Sequence, residues 1–132
     1  MDLYHGSPFP GLSVLQPHPS RVMDGEVVVF ASQYRDVAIS FLVPWTDKDI
    51  EQGSVNGKFY MKEMYPGAFE RFRGKAGSIY IVSADGFKKD SRLTRYERYS
   101  VSPVIVFKEE RIVNAYEALE KSFFVLSKRI LV

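Results

Sequence analysis

The chain has 132 residues, 45% hydrophobic and 26% charged, which amounts to one domain of ordinary globular sequence with no tract biased enough to argue for disorder. Its formal charge of +2 comes from 18 basic and 16 acidic residues that interleave, so nucleic acid is permitted as a partner but not indicated. With no cysteine and only two histidines, His5 and His18, disulfides, zinc–thiolate sites and cysteine nucleophiles are excluded, and no metal is expected.

The chain opens Met1-Asp2-Leu3-Tyr4, without a basic start leading into an apolar run, and nowhere do some eighteen apolar residues stand together; no membrane segment and a cytoplasmic location are expected. Leu3-Tyr4-His5 is a short apolar-aromatic run halted by Gly6-Ser7-Pro8, the pattern of a strand that ends abruptly with His5 at its terminus. Residues 9–25 hold Pro10, Pro17, Pro19, Gly11 and several serines. Proline fixes φ and has no N–H, so this stretch is expected to be a long loop of the kind that covers sites. Glu26-Val27-Val28-Val29-Phe30-Ala31 is the most β-prone run in the chain, continuous enough for a strand buried on both faces. Ser32 ends it in position to cap a helix. Tyr34, Val37, Ala38, Phe41 and Leu42 then recur at helical spacing, which predicts a helix to about Pro44.

Between Pro44 and Gly77 the signals weaken: residues 46–52 read as a helical turn, and residues 58–64 alternate as a strand. Gly77-Ser78-Ile79-Tyr80-Ile81-Val82 is a clear strand stopped at Ala84-Asp85-Gly86. Gly86 supplies the positive φ of a turn there, and a second strand pairing with the first is expected to follow. Residues 96–101 and 104–107, parted by Pro103, read as two pieces of one edge or bulged strand, because proline donates nothing to a central ladder. Asn114 and Glu117 stand at capping-box spacing, and Tyr116, Leu119, Phe123 and Leu126 continue at helical intervals into a final helix. The chain shows neither an internal repeat nor a linker, so a single domain is expected.

The fragment Leu3-Tyr4-His5-Gly6-Ser7, the proline-rich loop after it, and Val29-Phe30-Ala31-Ser32 leading into a helix with Ala38 and Phe41 resemble the ADP-ribosyltransferase superfamily, in its diphtheria-toxin and poly-ADP-ribose-polymerase branch. The later segments Gly77-Ser78-Ile79-Tyr80-Ile81-Val82, Gly86-Phe87 and Asp90 are similar to the pattern of the small rifampin ADP-ribosyltransferases. The likeness runs in patches over residues 3–107. It implies an α+β fold of split antiparallel β-sheets flanked by helices, with NAD as substrate. In such enzymes the nicotinamide–ribose bond breaks through an oxocarbenium-like state, and ADP-ribose passes to an acceptor, here an unknown small molecule or macromolecule.

The resemblance also implies roles. The His5 imidazole hydrogen-bonds a ribose hydroxyl, and the Gly6 backbone pairs with the carboxamide, unobstructed by a Cβ; Ser7 completes the strand-end motif. A carboxylate favours the developing cation, and two residues compete for that role. Glu97 stands where the toxin and polymerase branch places its catalytic glutamate, and Asp90 is the match in the rifampin-type pattern. Glu97 also has a plain reading as a solvated ion-pair member between Arg95 and Arg98. The strand position where many members carry a nicotinamide-stacking tyrosine falls on Val29. The nearest aromatics are Tyr34 and Phe41 on the following helix, where core packing is the commoner use and Tyr34 the better stacking candidate. Ser32 is a cap that also reaches ligand, and the planar fork of Arg21 suits a pyrophosphate. Two alternatives stand beside the transferase reading: a binding module for NAD or ADP-ribose that lacks turnover, and an RNA phosphotransferase relative of the same fold, which would need Arg92, Arg95 and Arg98 to converge on a phosphate.

Overall fold

The computed structural model describes residues 1–130. In chain order its elements are β1 (Asp2–Ser7), β2 (Val14–Leu15), β3 (His18–Pro19), β4 (Val27–Ser32), α1 (Arg35–Ile39), β5 (Ile50–Val55), β6 (Lys58–Glu63), a 3-10 helix (Ala68–Phe72), β7 (Gly77–Ser83), β8 (Glu97–Ser100), β9 (Val104–Ile105), β10 (Lys108–Ile112), α2 (Ala115–Glu120) and β11 (Val125–Ser127). Strands dominate and the two α-helices are short, so the chain is α+β with a heavy β share.

The main sheet runs β10-β7-β1-β4-β3, with β8 also paired to β4. A second sheet runs β11-β6-β5, antiparallel between β5 and β6 and parallel between β6 and β11. Alternation along the strands puts opposite neighbours in two apolar clusters. Leu3, Val29, Ala31, Tyr80 and Val82 share one with Leu15. Ile79 joins the other, where Val37, Ala38, Ile39 and Leu42 around α1 meet Ile50, Met61, Phe69, Phe72 and Leu119. The main sheet is therefore apolar on both faces, which is why β4 and β7 read as continuous apolar runs rather than alternating ones.

Several expectations need correction. Strand β1 does not end at His5 but runs on through Gly6 to Ser7, paired with β7 along its whole length. The strand at residues 77–82 does not pair with the next one in sequence: β7 lies between β1 and β10, while β8 pairs with β4. Residues 96–101 and 104–107 are not pieces of one strand either, because β9 pairs with β2. The helical turn expected over residues 46–52 is confined to a Thr46–Asp49 turn, closed by the Asp49 N–H donating to the Thr46 carbonyl at 2.9 Å, after which β5 begins. Strand β10, Lys-Glu-Glu-Arg-Ile, carries no apolar alternation because it is an edge, and charge on an edge strand discourages further pairing. Its acids are used locally: the Ser78 hydroxyl donates to Glu109 at 2.5 Å, and Arg35 Nε donates to Glu110 at 2.8 Å.

Helix α1 stops at Ile39 rather than near Pro44. The Ser40 hydroxyl donates back to the Val37 carbonyl at 2.6 Å, in competition with the Phe41 N–H that would extend the helix, and the Trp45 indole N–H donates at 2.6 Å to the Ser40 carbonyl, which Pro44, lacking an N–H, leaves free. Residues 40–42 continue through i to i−3 bonds, whose tighter winding turns Phe41 off the helical stripe. Ser32 is not the cap of α1, since Tyr34 occupies that position without a side-chain bond. The Ser32 hydroxyl instead accepts from the Tyr34 N–H at 3.0 Å, a local serine turn that ends β4.

The final helix has the expected start but is shorter, ending at Glu120. Asn114 accepts from the N–H groups of Tyr116, Glu117 and Gly74, while Glu117 pairs with Lys121 instead of closing a capping box. Asn114→Ala is expected to cost about 1 to 2 kcal/mol, since it strips both a helix cap and a loop tether. An unchanged midpoint in chemical denaturation would contradict this.

Candidate active site

Strands β1 and β4 meet in register at Tyr4↔Ser32 alone. Beyond that pair they diverge, leaving the β4-facing edge of β1 without a strand partner at Gly6. His5 spans the opening: its Nδ1 lies 2.6 Å from the Phe30 carbonyl oxygen. That oxygen only accepts, so Nδ1 carries the proton, and in the neutral ring Nε2 keeps a lone pair.

The parted strands enclose a hollow of about 320 Å3, at the lower end of the range of roughly 300 to 1,000 Å3 that small ligands occupy. β1 contributes Tyr4, His5 and Gly6, β4 contributes Phe30, Ala31 and Ser32, and Glu97 enters from the first position of β8. The cross-strand pair Ser32↔Glu97 accounts for the arrival of the carboxylate. The remaining wall is apolar: Ala38 and Phe41 from α1 and its extension, Val22 and Leu93 from two loops. The lining thus carries one carboxylate, one imidazole and no lysine or arginine.

Of the residues singled out in the sequence, the fold brings His5, Gly6, Ser32 and Glu97 to this hollow. Glu97 has no arginine within ion-pair distance among the described residues; its carboxylate accepts from the Thr94 hydroxyl at 2.7 Å. Arg98 instead donates to the carbonyls of Arg95 and Glu97 and to Gln33. Four candidates lie outside. Ser7 is buried and accepts from the Phe9 N–H at 3.1 Å, holding the start of the loop. Arg21 is exposed in the turn that precedes β4. Tyr34 packs against Phe59, Tyr96 and Phe123 with ring centroids 5.5 to 6.1 Å apart. Asp90 binds Arg92 through both carboxylate oxygens at 2.8 Å, an interaction that holds its pKa down to about 2.

Phe41, not Tyr34, is the one of these two aromatics that lines the hollow. Its ring is 40% exposed and lies flat against Trp45, 5.7 Å away at an angle of 8°. The signal for this was the Ser40-Phe41 step: a serine that bonds back into a short helix changes its winding. Val29, where the resemblance would put a stacking tyrosine, is 2% exposed and belongs to the core. Arg92, Arg95 and Arg98 span loop and strand rather than one helix face, and Arg92 is engaged by three carboxylates.

A larger, shallower depression of about 460 Å3 lies between α1, β10 and α2. Its charged groups are mostly paired, Arg35 with Glu110 and Asp36 and Lys121 with Glu117, and none of the candidate ligand-binding or catalytic residues lines it. Among the described residues no three metal-binding side chains cluster, and no helix is long and apolar enough to cross a membrane.

Burial lowers the pKa of His5, the charge of His18 adds to the effect, and the bond to Phe30 opposes it. As pH falls below the ordinary value of 6.5, the unfolded chain takes up the proton before the folded one does, so stability is lost toward the folded pKa. His5→Gln is expected to show a flatter dependence of melting temperature on pH below 6.5 than the parent protein; parallel curves would contradict the assignment.

Comparison with protein-family models, with curated proteins and with solved structures gives no match for this chain.

Proposed function

We propose that the hollow binds the nicotinamide end of NAD and that the domain transfers ADP-ribose to an acceptor, releasing nicotinamide. The observation that carries this reading is the convergence of His5, Gly6, Ser32 and Glu97, four residues from three separate strands, on one hollow. The chemistry of its walls agrees. A planar pyridinium suits an apolar slot that contains a carboxylate and no cation, since burying a positive charge beside an unpaired acid offsets the desolvation of both. A neutral His5 offers Nε2 as an acceptor for a ribose hydroxyl, and the open β1 edge at Gly6 offers backbone groups to the carboxamide. Phe41 supplies the aromatic wall.

In the reaction the bond between the ribose anomeric carbon and the nicotinamide nitrogen breaks. Its electron pair stays on nicotinamide and neutralises the ring. Glu97 steadies the positive charge left on the ribose by accepting from a ribose hydroxyl. The acceptor's nucleophile then bonds to the anomeric carbon and gives up its proton to solvent. Incubating the protein with NAD and following free nicotinamide tests this directly: release that depends on the protein supports it, and none with any candidate acceptor overturns it. A binding-only domain is the second reading, motivated by Val29 in place of the strand tyrosine; it predicts NAD affinity without release.

A further inference from the structure

We propose that Arg92 is a positioning residue that closes the hollow, clasping together the two loops whose Val22 and Leu93 form its outer wall. This rests on the hollow being the ligand site. The first loop, residues 20–26, is the hairpin connection between β3 and β4. It is drawn tight by the Gly25 N–H donating to the Ser20 carbonyl at 2.7 Å and by the Ser20 N–H donating to the Glu26 carbonyl at 3.0 Å. Asp24 and Gly25 adopt positive φ at its tip, Met23 anchors it in the core, and Val22 is left 55% exposed against the hollow. The second loop joins β7 to β8 and carries Leu93.

The Arg92 guanidinium stands between them. Nε and Nη2 donate to the two oxygens of Asp90 on its own loop, each at 2.8 Å, while Nη1 donates to Asp24 at 3.0 Å and Nη2 to Glu26 at 2.9 Å on the other. Among the described residues these last two are the hydrogen bonds that join the loops. A planar fork with donors on several edges grips both partners at once, which a lysine cannot do. Three carboxylates share one cation, so removing it leaves acids facing one another across the gap and drives the loops apart. Ion pairs this exposed are individually weak, which suits a wall that must part to admit a ligand.

The test compares the parent with Arg92→Ala, Arg92→Lys and the Asp24→Ala/Glu26→Ala double variant. Amide hydrogen exchange at residues 21–26 and 91–95 is expected to quicken about three- to tenfold in Arg92→Ala and in the double variant, less in Arg92→Lys, with β1 and β7 unchanged. The dissociation rate of NAD, followed by Trp45 fluorescence, is expected to rise by a similar factor, and raising salt in the parent should move it the same way. Unchanged loop exchange, or equal quickening across the whole domain, overturns the clasp, as does faster exchange with an unchanged NAD dissociation rate. If the parent does not bind NAD at all, the function proposed above fails, and loop exchange alone still decides the clasp.

Discussion

Glu97→Gln is expected to lower nicotinamide release from NAD about 100- to 1,000-fold, the usual cost of removing one preorganised group from a transition state, while NAD affinity falls much less, by about fivefold, because the carboxylate also offsets the pyridinium charge in the bound state. Glutamine keeps the length of the side chain and still accepts from the Thr94 hydroxyl, which lies 2.7 Å from the Glu97 carboxylate. What is lost is the negative charge in a lining that has no other acid. Nicotinamide release within a few-fold of the parent would assign the carboxylate's role elsewhere. An equal loss of affinity and rate would mean that Glu97 binds substrate and transition state alike.

Gly6→Ala is expected to destabilise the protein by about 3 kcal/mol, the upper end of overpacking in a rigid site. At this size of domain that corresponds to a fall in melting temperature of about 10 °C. A Cβ at Gly6 would stand 2.0 Å from the Ala38 carbonyl oxygen and 3.3 Å from the Phe41 Cβ. The nearest atom is backbone, so relief requires α1 to move off β1. Both Ala38 and Phe41 line the hollow, so the same shift would alter the site as well as the fold. Gly6 is therefore first a condition for the close approach of α1 to β1 and only through that a condition for the site. A variant as stable as the parent would show that α1 yields easily and that the approach is not needed.

The parts of the site that are legible in the sequence are those fixed by strand ends. Val27 to Ser32 announces its limits through a β-branched run and the serine that stops it, which places Ser32; the apolar-aromatic start of β1 announces the strand and places His5 and Gly6 on it, though β1 runs on to Ser7 instead of ending at His5. Glu97 is legible because it opens a strand; its freedom from Arg95 and Arg98 is not, since pleating, rather than adjacency, decides which neighbours meet. Asp90 looks equivalent in sequence and differs only through a bond network to Arg92, Asp24 and Glu26 that spans 68 positions in the chain. Phe41 rather than Tyr34 lines the hollow because the helix ends five residues early, where the Ser40 hydroxyl bonds back to the Val37 carbonyl, a bond that no periodicity count contains. The hairpin between β5 and β6 carries a signal that periodicity alone passes over: Asn56-Gly57, both at positive φ, is the dipeptide that a two-residue turn favours. Strand β10 gives no such notice, because an edge strand of charged residues carries neither alternation nor an apolar run.

The proposed function stands or falls on whether the nicotinamide end of NAD sits in the opening between β1 and β4. The decisive experiment is to titrate the labelled protein with NAD, and separately with nicotinamide, while following backbone amide resonances. Saturable shifts are expected, confined to Gly6, Ser32, Glu97 and their immediate neighbours and common to both ligands, with His5→Ala weakening the response to NAD, whose ribose His5 holds, more than the response to nicotinamide. Shifts centred on the depression beside Arg35 and Lys121, or none at millimolar ligand, would place the nicotinamide elsewhere or nowhere on this domain.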